Sequence, residues 1–195
     1  MSFVLEDGTG SGSKLKIGTD NRLQARVVRE TEIVHATESG NSYNWNTGLI
    51  SITGDATLIY LKNNSDNQLV ITDIAIAAFD GITHSDFPYI TLVRNPTGGD
   101  LISDATAISM NQNRNFGSTN SAVVNVYKGK VGGTITGGND IAILQTGKTG
   151  RSLFSIDFIL TKGTSLGVKL TANRSSGSAN YYIALIGYFK DTEDV

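Results

Sequence analysis

Cysteine is absent from this 195-residue chain. The chain therefore has no disulfide framework, no thiolate zinc site and no cysteine nucleophile, and its stability must come from packing, with or without partner subunits. Proline is almost as scarce, because only Pro88 and Pro96 are present, while glycine, asparagine, serine and threonine dominate. This composition favours a β protein with many turns.

Charge of either sign is also sparse. Lysine, arginine, aspartate and glutamate together make up 17% of the residues, the formal net charge is -2, and there is no dense cluster of lysine and arginine. Non-specific binding to nucleic acids depends on neutralising phosphates with basic side chains. We therefore do not expect DNA or RNA as a partner.

Long apolar runs are missing as well. No window approaches the length of a transmembrane helix, and residues 1–8 contain neither a positive n-region nor an apolar h-region. We therefore expect a protein that is made in the cytoplasm without a signal peptide, and that has no membrane span and no membrane partner.

The C-terminal part of the chain carries the clearest structural pattern. Apolar residues occupy every second position in residues 154–160 and again in residues 166–172, which is the period of a strand with one buried face. Residues 181–189 are apolar almost throughout, which indicates a strand covered on both sides. A buried closing strand of this kind predicts a two-layer β domain.

Further strands are predicted along most of the chain, whereas helix signals are confined to a short turn around residues 104–110. Eight or more strands in two sheets predict an all-β fold, a jelly-roll-like two-sheet β-sandwich that forms one domain over residues 21–195. Additional strand signals lie at residues 22–35, 49–53, 57–62, 69–79, 89–93, 123–127, 141–144 and around Ile135.

Residues 1–20 are predicted to form an extended N-terminal arm. Residues 8–13 contain only glycine, serine and threonine, a composition too polar and flexible to hold structure alone. Phe3, Val4 and Leu5 precede this stretch and supply apolar anchors. Our hypothesis is that the arm is disordered in isolation and becomes fixed on a neighbouring subunit during assembly.

Tyr43 and Trp45 form the second candidate interface. They flank Asn44 and precede Asn46, and aromatic rings beside amides can stack on a sugar or on a protein surface while their polar groups hydrogen-bond. The alternative interpretation is that Trp45, the only tryptophan, fills one end of the sandwich as a core residue. The sequence leaves both interpretations open, with burial preferred.

Patterns typical of enzymes are weak. Residues 147–149 read Gly-Lys-Thr, but a phosphate-binding loop needs glycine where Ala142 stands, so a glycine-rich turn explains them better. His84 lies between Asp80 and Asp86, but metal sites demand more ligands than this loop offers. No Gly-x-Ser-x-Gly elbow is present. We predict no catalytic residue, no cofactor and no metal site.

Several segments together resemble virion structural proteins of tailed bacteriophages. The resemblance covers most of the chain but includes no functional motif that transfers residue by residue. The segments are KIGTDNRLQA (residues 16–25), SYNW (42–45), LIYLKNN (58–64), GTSLGV (163–168) and ALIGYF (184–189).

The resemblance implies a non-enzymatic particle protein with a β-sandwich body. A head decoration (cement) protein that stabilises the capsid by binding across capsomer joints is the leading expectation. It would be a homotrimer in the virion, assembled in the host cytoplasm, with the major capsid protein or other virion proteins as partners. The alternatives are a neck, tail or fibre component, a receptor- or glycan-binding module that uses Tyr43, Trp45 and polar loops, and a jelly-roll enzyme acting on cell-surface polysaccharide.

Overall fold

The structure is a computed structural model and describes residues 16–17, 23–24, 31–79, 88–99, 106–108, 112–129, 133–145, 150–173 and 178–190. The chain divides into two units, residues 1–31 and residues 32–195. In the first unit, β1 (Lys16–Ile17) pairs with β2 (Leu23–Gln24) in antiparallel orientation. In the sequence, the two strands lie on either side of residue 20, where the predicted arm ends. Phe3, Val4 and Leu5 lie outside the described residues.

The second unit begins with the short helix α1 (Glu32–Glu38) and continues as strands. These are β3 (Ser42–Asn46), β4 (Ile50–Ile52), β5 (Ala56–Asn63), β6 (Leu69–Phe79), β7 (Tyr89–Arg94), β8 (Gly98–Gly99), β9 (Thr106–Ala107), β10 (Val124–Lys128), β11 (Ile135–Thr136), β12 (Asn139–Gln145), β13 (Gly150–Leu160), β14 (Ser165–Thr171) and β15 (Ala179–Phe189).

Two antiparallel sheets hold most of these strands. The first sheet has the order β13-β6-β15-β3, and β4 continues the line of β3 along β15. The second sheet has the order β12-β7-β14-β5-β10-β9. The short strands β8 and β11 pair with each other and form a separate two-stranded sheet. The two-sheet β-sandwich predicted from the alternating pattern is therefore confirmed.

The strand order is that of a jelly roll. We count β3 and β4 as one interrupted strand and leave out β10 and the short strands β8, β9 and β11. The eight strands of the framework are then β3/β4, β5, β6, β7, β12, β13, β14 and β15. In chain order the first pairs with the eighth, the second with the seventh, the third with the sixth and the fourth with the fifth. This nested pairing of eight strands in two sheets is the arrangement of two Greek keys.

One large apolar core lies between the sheets. It includes side chains from every strand of the eight-stranded framework, and its largest fully buried members are Trp45, Tyr43 and Tyr181. β5 and β15 are buried along almost their whole length, because each has a strand on both sides and cover above and below. The apolar run at residues 181–189 therefore forms a central strand, as its composition predicted.

Both sheets also carry cover on their outer faces. Ile33 and Ala36 of α1 pack on Val70 and Tyr188 of the first sheet. On the second sheet, Ile135 packs in a separate apolar cluster that includes Tyr60 and Val93. Gly167 makes room for this cover, because a Cβ there would lie 2.2 Å from the Cδ1 atom of Ile135.

Two local predictions were wrong. A strand was predicted over residues 22–35, but residues 32–35 belong to helix α1. The helix forms because Ile33 and Ala36, three positions apart, then face the sheet together. Gly40 then ends the helix with φ +75°, while the amides of Gly40 and Asn41 donate to Thr37 and Ala36. The helical turn predicted around residues 104–110 contains the short strand β9 instead.

Candidate functional site

Tyr43 and Trp45, the aromatic pair singled out in the sequence, lie in the core. Trp45 is fully buried and Tyr43 is 2% exposed, and their rings stack with centroids 5.3 Å apart. Burial raises the pKa of the Tyr43 phenol, and contact with Asn113 opposes this change. Both rings are too deeply buried to stack on a sugar or on a protein surface, and Tyr43 reaches only the wall of a small cleft at the end of the sandwich.

The asparagine loop, residues 112–121, covers the free edge of β3. Asn44 donates its amide to the Gln112 carbonyl at 2.9 Å, and Arg114 donates its amide to the Ser42 carbonyl at 2.8 Å. The Gln112 side chain also accepts from the Asn46 amide at 2.8 Å. The loop thus satisfies backbone groups that an edge strand otherwise leaves open.

Asparagine side chains hold this loop in one shape. The Asn113 side chain donates to the Gly40 carbonyl at 2.6 Å and accepts from the Asn115 amide at 2.8 Å. Asn115 in turn accepts from the Gly117 amide at 3.0 Å and donates to the Glu38 carbonyl at 3.1 Å. Such side-chain-to-backbone bonds rigidify a turn.

Phe116 stands at the tip of this rigid loop and is 100% exposed. Large aromatic side chains are usually buried or half-buried, so full exposure on a tightly bonded turn is uncommon. Other exposed apolar side chains also occur singly on the surface, for example Leu49 and Val34. Phe116 differs because hydrogen bonds on both sides fix the backbone that presents it.

The two strands β12 and β13 form a second candidate surface, here called the open flank. Each is the last strand of its sheet, and no described strand pairs with its outer edge. Ile141 of β12 and Ile159 of β13 line one groove, so the two strands lie on the same side of the sandwich. Their outward positions carry four large exposed apolar side chains: Ile141, Ile143, Leu153 and Ile159.

β-Bulges interrupt both strands of the open flank. The pairing of β12 with β7 shifts between Asp140 and Ala142, and the pairing of β13 with β6 shifts between Ser155 and Phe158. Asp157, inside the second bulge, has φ 44°. Bulges of this kind discourage unlimited strand addition at a sheet edge. The apolar side chains of the flank nevertheless stay accessible to a partner.

A groove of about 420 Å³ opens at one end of the flank, where β12 and β13 come close to β7 and β14. Phe158, Leu160 and Leu166 supply apolar walls, and Arg94 lies at the same groove. The Thr164 hydroxyl donates to the Thr161 carbonyl at 2.7 Å and so closes the turn between β13 and β14. The groove extends the apolar character of the flank into a concave surface.

A charged contact fixes helix α1 on the first sheet. The Tyr188 hydroxyl donates to the Glu32 carboxylate at 2.5 Å, and the Lys190 ammonium lies 3.4 Å from the same carboxylate. The Tyr188 hydrogen bond, followed by Lys190, lowers the pKa of Glu32. Burial, together with the Glu32 acceptor, raises the pKa of Tyr188.

The described residues contain no group of three or more histidine, cysteine, aspartate or glutamate side chains that could hold a metal ion. The segment with Asp80, His84 and Asp86, and the Gly-Lys-Thr stretch at 147–149, lie outside the described residues. No described helix is long and apolar enough to cross a membrane.

The open flank and Phe116 were not identified from the sequence. A signal for the flank does exist: in β13 both alternating faces carry apolar residues, since Leu153 and Ile159 share the outward face with Ser155 and Asp157. A strand that is apolar on both faces is normally central. Its position at the edge becomes known only from the topology.

Comparison with protein families and with curated proteins gave no match. No protein-family model matches the sequence, and no curated protein is significantly similar to it. The chain is thus characterised as a jelly-roll β-sandwich with one apolar edge surface and one rigid asparagine-rich loop.

Proposed function

We propose that the protein is a non-enzymatic structural protein of a tailed-bacteriophage virion, most specifically a capsid decoration (cement) protein that binds across capsomer joints. The open flank is the observation that supports this proposal best. Ile143, Leu153 and Ile159 are each more than half exposed there, on two adjacent edge strands. Large exposed apolar side chains on the edge strands of a soluble domain are a common feature of protein contact surfaces.

The chemistry of the flank suits a protein neighbour. β12 and β13 expose the aliphatic side chains Ile141, Ile143, Leu153 and Ile159 beside three charged ones, Asp140, Arg151 and Asp157, and protein interfaces contain such a mixture of apolar and polar groups. The two bulges favour a contact of defined size over endless strand addition. The proposed partners are copies of the chain itself, as a homotrimer, and the major capsid protein or another virion protein.

The proposed mechanism is thermodynamic. A protein that binds the assembled shell, but not free capsomers, shifts the equilibrium towards the shell by mass action. Each copy that bridges a joint adds its binding free energy to the stability of the particle. The function is then the stability of the virion, with assembly in the host cytoplasm.

Mass spectrometry of virions produced from the genome that encodes the chain tests this function. We expect the chain in the particle at high copy number. Only a few copies per particle would favour the second candidate, a neck, tail or fibre component. Absence from purified virions would contradict both.

A pair of variants tests the role of the open flank. Ile143→Asp combined with Leu153→Asp places charge on the flank, and we expect loss of self-association in sedimentation equilibrium and loss of co-sedimentation with virions. Leu49→Asp is the matched control, because Leu49 is also highly exposed but lies on the turn between β3 and β4. Unchanged binding of the flank variant, with folding verified by tryptophan fluorescence, would exclude the flank as the contact.

A further inference from the structure

A polar cleft lies at the end of the sandwich next to the asparagine loop. Its volume is about 210 Å³. Four segments that are distant in sequence meet there: the residues before β3, the turn between β5 and β6, the asparagine loop and the end of β15. Its walls combine the apolar side chains of Val123 and Phe189 with six polar ones: Asn41, Tyr43, Ser65, Asn67, Asn120 and Ser121.

The lining consists of neutral groups. Amides and hydroxyls can both donate and accept hydrogen bonds, and no charged side chain is among the described residues that line the cleft. A charged phosphate or carboxylate would find no counter-charge there, whereas a ligand rich in hydroxyl groups would find a partner for each. The volume is below the roughly 300–1,000 Å³ of pockets for drug-sized molecules, which fits a single sugar ring.

The cleft is preorganised. The Ser65 hydroxyl accepts from the Asn67 amide at 3.1 Å, and the Ser118 hydroxyl accepts from the Asn120 amide at 3.1 Å. Gly40 also lets the loop approach closely, because a Cβ there would lie 2.3 Å from the Ser118 hydroxyl oxygen. A site already held in shape loses little conformational entropy when a ligand binds.

Phe116 adds an apolar face in the same loop. It lies four residues before Asn120, which places the two Cα atoms within about 14 Å even for extended backbone. A ring of this kind can pack against the C–H face of a sugar, while the cleft binds the hydroxyl groups of another unit. A short oligosaccharide can cover this distance.

We infer that the cleft and Phe116 together form a binding site for a neutral oligosaccharide. One unit occupies the cleft, with Asn67, Asn120 and Ser121 as hydrogen-bonding partners, and a neighbouring unit packs on Phe116. Tyr43 lines the cleft but is buried, so the site does not depend on stacking by the Tyr43 or Trp45 ring, and it lies on elements other than the open flank. It therefore stands independently of the capsid role proposed above.

Isothermal titration of the full chain with maltopentaose, cellopentaose and chitopentaose, and with a sialylated pentasaccharide as the acidic probe, tests this inference. We expect one of the neutral probes to bind and the sialylated probe to bind at least tenfold more weakly than that neutral probe. Absence of binding by all neutral probes, or preference for the sialylated probe, would overturn it.

Variants then locate the bound saccharide. Ser121→Trp, which fills the cleft, should abolish binding, and Asn67→Ala should weaken it. Phe116→Ala should weaken pentasaccharide binding by about 3- to 10-fold, the size expected for loss of an aromatic contact. The controls are Asn125→Ala and Leu49→Ala, which alter exposed residues of the same types elsewhere. Equal affinity of Ser121→Trp and the unaltered chain would refute the cleft.

Discussion

At the scale of single residues, Trp45 is the largest fully buried side chain among the described residues. It is fully buried, stacks on Tyr43, and belongs to a strand that pairs with β15 at the centre of the first sheet. Its indole Nε1 atom has no hydrogen-bond partner among the described residues. Its contribution to stability therefore comes from apolar packing and not from its polar group.

Replacing Trp45 should show this directly. We expect Trp45→Ala to lower the free energy of unfolding by about 3–5 kcal/mol, because it leaves a large cavity. Trp45→Phe should cost clearly less, since it removes an unpaired N–H and keeps an aromatic ring. Urea unfolding followed by far-UV circular dichroism measures both variants.

Leu49→Ala is the control for this pair, because the Leu49 side chain is 66% exposed and its truncation should change stability by less than about 0.5 kcal/mol. A loss of under about 1 kcal/mol for Trp45→Ala would contradict the assignment of Trp45 to the core.

The sequence could not decide where these aromatic rings lie. Tyr43, Asn44, Trp45 and Asn46 alternate as a half-buried strand does, and the same alternation suits a loop that presents two rings to a ligand. The difference depends on the rest of the fold, because β15 pairs with this strand and the second sheet packs over its aromatic face, and both come from distant parts of the chain. Phe116 was missed for the opposite reason, since its exposure results from a local network of asparagine bonds.

At the scale of secondary-structure elements, the docking of α1 depends on one carboxylate. Glu32 accepts from Tyr188 and lies near Lys190, and these contacts lower its pKa from the ordinary value of 4.5. A carboxyl group with a lowered pKa stabilises the fold above its ordinary pKa, and this stabilisation is lost as the pH falls through the folded-state value. The contact is therefore formed at neutral pH and weakened in acid.

This gives a pH-dependent prediction. At pH 7, Glu32→Gln should lower the free energy of unfolding by at most about 1 kcal/mol, because the carboxylate is largely exposed. The difference from the unaltered chain should shrink as the pH approaches 3. Urea titrations at both pH values measure it, and Glu38→Gln on the same helix is the control. A difference that is equal at both pH values would contradict the role of the carboxylate.

Elements were predicted unevenly, for physical reasons. Strand β6 was predicted over the same residues that form it, and the predicted bounds of β5, β7, β13 and β14 differ from the observed ones by a few residues. These strands were recognised because apolar residues occupy every second position in them or nearly every position. Helix α1 was missed because seven residues give too few turns for a helical period to become visible. Its position depends on contact with Val70 and Tyr188, which no local pattern reveals.

At the scale of the whole molecule, the nested strand order should slow folding. The first strand of the framework pairs with the last, so the sheet of β3, β15, β6 and β13 closes only when distant segments meet. We expect refolding relaxation times of roughly milliseconds to seconds, as for other proteins dominated by non-local pairings. Stopped-flow fluorescence of Trp45 reports this step, because burial of its ring requires β15.

A relaxation time shorter than this range would contradict closure of the nested strands as the slow step of folding.

The class of fold could be predicted from the number and spacing of strands, whereas the order of the strands could not. The alternation of Leu166, Val168 and Leu170 shows which face of β14 is buried, but not that β5 and β7 are its neighbours. Pairing partners are set by the packing of the complete chain.

The pairing of β3 with β15 places Tyr188 directly opposite Ser42. Residues opposite each other in antiparallel strands have Cα atoms only about 4.5–5.5 Å apart. The entrance and the exit of the sandwich therefore share one location, and a short peptide joining them would leave the two large sheets intact. The turn at Lys162 and Gly163, exposed and remote in the chain, would then offer new termini, which makes this fold a natural scaffold for circular permutation.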